Sequence, residues 1–138
     1  MEIRFDNGQI KAIVQEYFKS FERIDVDVFI TTAKKVFGNF NYYREKVETT
    51  IKVREKNNGD DSGYEETLAG NRINGIVSAV LDKRGYDVSS VSIDNGLVNR
   101  LGPGMERYNA SIPYFRGIVV QCKEKTHPHK VKTIKNVS

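Results

Sequence analysis

Arginine is the residue type in this chain best suited to holding an anion, and Arg116 stands in the most telling setting. In the strand region Tyr108 to Lys123, Ile112, Tyr114, Ile118, Val120 and Cys122 share its parity, so regular pleating directs a guanidinium onto an apolar face. An unpaired charge in the interior costs several kcal/mol. Arg116 is therefore expected to meet a carboxylate, reach a rim or bind an anion, unless a bulge at Pro113 resets the parity. As a ligand group it is a bidentate clamp for phosphate, with Tyr108, Tyr114 and Phe115 available to stack on a base. Gly117 beside it lets a ligand approach the backbone. Arg100 and Arg107 flank the turn Gly102-Pro103-Gly104, and Asn95 and Asn99 offer amides for a base edge or a ribose. Arg72 joins this set only if its helix faces the 95–116 region.

A catalytic set is not assembled by the sequence. Both histidines, His127 and His129, fall in the last twelve residues, and Cys122 in a β-branched strand reads as a small core residue. The two histidines around Pro128 lack the further ligands that a metal site needs. Placing Gly63 at the glycine of a calcium loop puts Ala69 where a bidentate Glu is required, so that pattern fails. Asp94 with Gln121 and Lys123 could imitate a metal-dependent nuclease, but one carboxylate among three residues does not make oxygen ligands converge. No phosphate-binding glycine loop is present, since Gly102-Pro103-Gly104 lacks the strand–loop–helix context. Neither a cofactor nor a metal is expected.

Composition places the chain among ordinary globular domains: 138 residues, 38% hydrophobic and 29% charged. The net charge of +4 is local. Lys123, Lys125, Lys130, Lys132 and Lys135 face only Glu124 in the last sixteen residues, and positions 1–122 balance. A basic tail adds affinity for phosphates or serves as a solubilising end. No apolar run approaches a membrane span, the first residues lack the order of a signal peptide, and there is one cysteine. These features predict an intracellular, cytoplasmic protein with no membrane partner.

The elements that must position these residues follow from periodicity. Ile10, Ile13, Val14, Tyr17, Phe18 and Phe21 repeat as one face of a helix, capped by Asp6 with Gln9. Val28, Phe29, Thr32, Ala33, Val36 and Phe37 carry the same spacing, which predicts a second helix ending at Gly38. Positions 43–56 alternate with period two as a long strand. Ala69, Ile73, Ile76, Val77, Val80 and Leu81 mark a central helix over 63–84, with Ser62 and Glu65 as capping box and Gly85 closing the last turn. Gly70 and Gly75 within it are read as close packing against a sheet. A hairpin over 88–101 turns at Asn95-Gly96, and a final strand spans 108–123. The expected fold is α+β: one antiparallel sheet covered by two N-terminal helices and the central helix, in a single domain 1–123 followed by a flexible tail 124–138. No internal repeat is evident at this level.

The functional expectation is a small non-enzymatic protein that binds, and sequesters, an anionic nucleotide-like or other phosphate-bearing small molecule. The alternative is an interaction or inhibitor module for a protein partner, self-assembling into a homo-oligomer through the aromatics of its first two helices. A third expectation is sequence-independent nucleic-acid binding by the tail.

Overall fold

The computed structural model describes residues 1–39, 42–56, 63–100 and 110–125, with backbone alone at 36, 37, 39, 42–45, 98–100, 110 and 111. Its elements run β1 (Glu2–Phe5), α1 (Asn7–Tyr17) with a π-helical turn Phe18–Glu22, β2 (Val26–Asn39), β3 (Tyr42–Glu55), β4 (Glu65–Leu68), α2 (Gly70–Lys83), β5 (Tyr86–Arg100) and β6 (Ala110–Glu124). The fold is α+β with two antiparallel three-stranded sheets, not one. Sheet I has the order β1-β6-β5 and sheet II the order β2-β3-β4.

The order of elements is a strand–helix–hairpin unit written twice, and the two units exchange their first strands. β1 of the first unit pairs with β6 of the second, while β4 of the second pairs with β3 of the first. The registers correspond: Phe5 faces Ile118 as Leu68 faces Ile51, and Glu2 faces Gln121 as Glu65 faces Arg54. The buried residues correspond too. Phe5, Ile10, Ile13, Val14 and Phe18 of the first unit match Leu68, Ile73, Ile76, Val77 and Leu81 of the second at one constant spacing, and all ten are buried. The internal repeat that the sequence reading did not find is therefore present. Its trace is Ile-x-x-Ile-Val, at 10–14 and again at 73–77.

Strand exchange gives both units one core. Ile51, Val53, Ile118 and Val120 from the sheets lie in the same buried cluster as the helix residues, and among the described residues every buried side chain is apolar. Fully burying a side chain of this size contributes about 1.5–3 kcal/mol, so neither unit retains its core if the other leaves.

Local chemistry explains the element ends. The Asp6 carboxylate accepts from the Gln9 backbone N–H and the Gln9 side chain accepts from the Asp6 N–H, both at 2.8 Å, as the expected capping box requires. Gly85, at φ +94, follows α2 in the conformation that favours glycine. The central helix is shorter than expected: Ala69 is its N-cap without a side-chain bond, and Glu65 belongs to β4. Ser62 lies outside the described residues.

Three further expectations are corrected. The second N-terminal helix is instead β2, whose β-branched run pairs with β3 from Val26 to Asn39. Asn95-Gly96 is no turn, because β5 continues through it opposite Phe115 and Tyr114. Gly70 and Gly75 do not pack against a sheet, since a Cβ at either position would meet no atom within 4 Å. Among the described residues no helix is long and apolar enough to cross a membrane.

Candidate anion site on the outer face of sheet I

Comparing the two hairpins residue by residue locates Arg116. In β3, Thr49 and Thr50 are adjacent and pair with Thr32 and Thr31. Their counterparts in β6, Phe115 and Gly117, pair with Asn95 and Asp94, and Arg116 stands between them with no partner in the ladder. Arg116 is thus one extra residue in the second unit, a β-bulge, and bulges re-aim side chains. Gly117 makes it possible at φ +139, with so little room that a Cβ would lie 2.5 Å from the Phe5 carbonyl oxygen.

The bulge resets the parity of the strand. Ile118, Val120 and Cys122 are buried and Phe115 packs against the same core, while Ile112 and Tyr114 are exposed. Arg116 therefore does not enter the apolar face that uninterrupted pleating implies. Its side chain is 50% exposed on the outer face.

Three side chains surround it there. Arg116 Nε donates to the Tyr114 hydroxyl at 3.2 Å, and the guanidinium lies 5.7 Å from the centre of the Tyr114 ring. Asp94, two-thirds or more shielded, has one carboxylate oxygen 4.0 Å from Arg116 Nη1 and the other 2.7 Å from Arg4 Nη1. Hydrogen bonding to Tyr114, reinforced by the charge of Asp94, holds the Arg116 pKa above its ordinary value. Two guanidinium groups share one carboxylate, which leaves one positive charge uncompensated within the trio. Arg116 Nη2 makes no hydrogen bond among the described residues, so the fork retains donors for an incoming oxyanion.

The Tyr114 ring lies over a glycine. Gly96 is its cross-strand partner, and a Cβ there would come within 2.7 Å of the ring and 2.6 Å of Arg116 Nε. An aromatic laid over a strand glycine covers backbone that would otherwise be bare.

The other expected site residues are dispersed. Asn95 points to the opposite side of sheet I, where it accepts a hydrogen bond from Thr49 and donates to the Val47 carbonyl at 3.4 Å, tying the two hairpins together. Phe115 is core packing. Asn99 and Arg100 lie in the last two positions of β5, their side chains outside the described set, and Arg107 and Tyr108 lie outside the described residues.

Arg72 sits in the helix layer, away from Arg116. It donates to Glu66 from Nε at 3.0 Å and from Nη2 at 3.2 Å, to Glu22 at 2.6 Å and to the Tyr17 hydroxyl at 3.2 Å. Its guanidinium also lies 5.4 Å from the centres of the Tyr17 and Phe18 rings. The hydrogen bond to Glu66 leads in raising its pKa. Burial acts to raise the pKa of Glu66, but hydrogen bonds from Arg72 and Tyr64 outweigh it and hold that carboxyl below its usual range. This arginine is engaged by carboxylates and aromatic rings, and it lines an open groove of about 630 Å³ with Phe21, Gly75 and Ala79.

Arg4 is the member of the site that sequence reasoning missed. A four-residue strand carries little periodic signal, and only its pairing with β6 places Arg4 beside Asp94. Asp94, considered above as a metal ligand, is instead engaged by two arginines. No protein-family model, curated protein or solved structure matches this chain.

Proposed function

We propose that the protein is a small, non-enzymatic binder of an anionic, nucleotide-like ligand, which it sequesters on the outer face of sheet I. The observation that carries this reading is the bulge: Arg116 is an addition to a repeated hairpin, turned outward beside a tyrosine and a second arginine. A phosphate oxygen pair suits the fork of Arg116, whose Nη2 has no partner among the described residues, Arg4 supplies long-range attraction through the charge that Asp94 leaves uncompensated, and Tyr114 offers a face for a base. Isothermal calorimetry against nucleoside mono-, di- and cyclic phosphates tests it, with Arg116→Ala as control. Binding of at least one member, weakened about tenfold or more in the variant, supports the reading. No binding across the panel removes it.

A second reading, a protein-interaction or self-assembling module, is favoured by Leu97 and Ile112, which are 47% and 43% exposed on the β5–β6 hairpin. It no longer rests on two aromatic helices, since Phe29 belongs to β2 and Phe18 is buried. Light scattering tests it, because a monomer at high concentration argues against self-assembly. Nucleic-acid binding by residues 124–138 is tested by deleting them, and affinity that survives deletion excludes the tail as its source.

A further inference from the structure

Among the described residues, the outer faces of the two sheets carry three places where one carboxylate is shared by two basic side chains. Asp94 lies between Arg4 and Arg116 on sheet I, and on sheet II Glu65 lies between Lys52 and Arg54, and Glu48 between Lys35 and Lys46. Two of the three add an exposed aromatic. The Arg54 guanidinium lies 5.7 Å from the centre of the Phe29 ring, the same separation as Arg116 from Tyr114. Phe29 is 44% exposed and Tyr114 38%.

We infer that Arg54, Lys52 and Phe29 form a second site for the same class of ligand, a phosphate-bearing molecule with a flat ring. This inference rests on the reading of Arg116 given above and extends it to sheet II. The β-register explains the likeness: Phe29 is directly opposite Lys52, and Arg54 is directly opposite Glu65, so ring, ammonium, guanidinium and carboxylate occupy adjacent outward positions on three strands.

Within the trio the charge balance corresponds, although Asp27 brings the sum over the four groups to zero. Arg54 donates to Glu65 at 2.9 Å, Lys52 reaches the other oxygen at 3.2 Å, and their hydrogen bonds hold the Glu65 pKa below its ordinary value. One positive charge remains uncompensated within the trio. Asp27, opposite Arg54 in the ladder, lowers the local potential and makes this the weaker site. The trio around Glu48 has two point-charge lysines and, among the described side chains, neither a guanidinium fork nor a ring beside it, so it carries no proposal.

The test is calorimetric stoichiometry with adenosine 5′-monophosphate as probe and adenosine as the uncharged control. Wild type, Arg116→Ala, Arg54→Ala, Phe29→Ala and the double arginine variant are compared, each first shown by thermal unfolding to be folded. Two sites per chain are expected in wild type, one in each single arginine variant and none in the double variant, with Phe29→Ala weakening the second site alone. A single site lost in Arg116→Ala and unchanged in Arg54→Ala and Phe29→Ala overturns the inference and leaves the first site standing. A single site lost only in Arg54→Ala supports the sheet II site and overturns the role given to Arg116. No binding by the folded wild type overturns both.

Discussion

The Tyr114 ring lies over Gly96, its partner across the β5–β6 ladder, in the space that a Cβ at position 96 would occupy. Gly96→Ala is therefore expected to push aside both the ring and the Arg116 guanidinium. Both are solvent-exposed side chains that can swing aside, so the change in stability is expected to stay within about 0.5 kcal/mol. Urea unfolding checks this, and ligand affinity is expected to fall because ring and guanidinium are displaced; an alanine variant that binds as tightly as wild type would contradict their placement over Gly96.

Gly117 is constrained by backbone instead of by side chains. At φ +139, with the Phe5 carbonyl oxygen 2.5 Å from a built Cβ, Gly117→Ala must disturb either the bulge or the pairing of β1. The expected loss is about 2 kcal/mol or more. Accelerated exchange of the amides paired between Glu2–Phe5 and β6 would locate the damage.

The reverse outcome is expected at Gly75. It lies within α2, and nothing stands within 4 Å of where a Cβ would go. Gly75→Ala should stabilise the protein by about 0.5–1 kcal/mol through helix propensity. A destabilising result in chemical denaturation would reveal a contact at that position.

Acid should weaken the Arg72 cluster. The folded-state pKa of Glu66 is depressed, so its contribution is fully present above the unfolded value near 4.5 and is lost as the pH falls through the lower, folded value. Glu66→Gln is expected to cost about 1 kcal/mol at neutral pH, discounted for partial exposure, and less at pH 3. Equal costs at the two pH values would show that ionised Glu66 is not what Arg72 requires.

The features legible in the sequence are those that local chemistry decides. The period of α1, its Asp6–Gln9 cap, the alternation of β3 and the glycine after α2 all depend on neighbours a few residues away. β2 was not legible, because Val28, Phe29, Thr32 and Ala33 satisfy a helical spacing and also alternate inward and outward, and the ladder with β3 decides between them. Asn95-Gly96 has the residues of a hairpin turn, yet it lies within β5, where the Tyr114 ring fills the space that a Cβ at Gly96 would need. A bulge that resets the parity is expected at Pro113 but lies at Arg116, and Pro113 pairs regularly with Leu97. Setting β6 beside β3 exposes Arg116 as the inserted residue, and that comparison requires first seeing that Ile-x-x-Ile-Val occurs twice.

An anion is expected to bind on the outer face around Arg116. Amide chemical-shift mapping during titration with a nucleoside monophosphate tests it most directly. The expected result is a set of concentration-dependent shifts that includes Arg4, Asp94, Tyr114, Arg116 and Gly117 and that disappears from these residues in Arg116→Ala. Shifts confined to the groove beside Arg72, to residues 124–138, or absent throughout would contradict it.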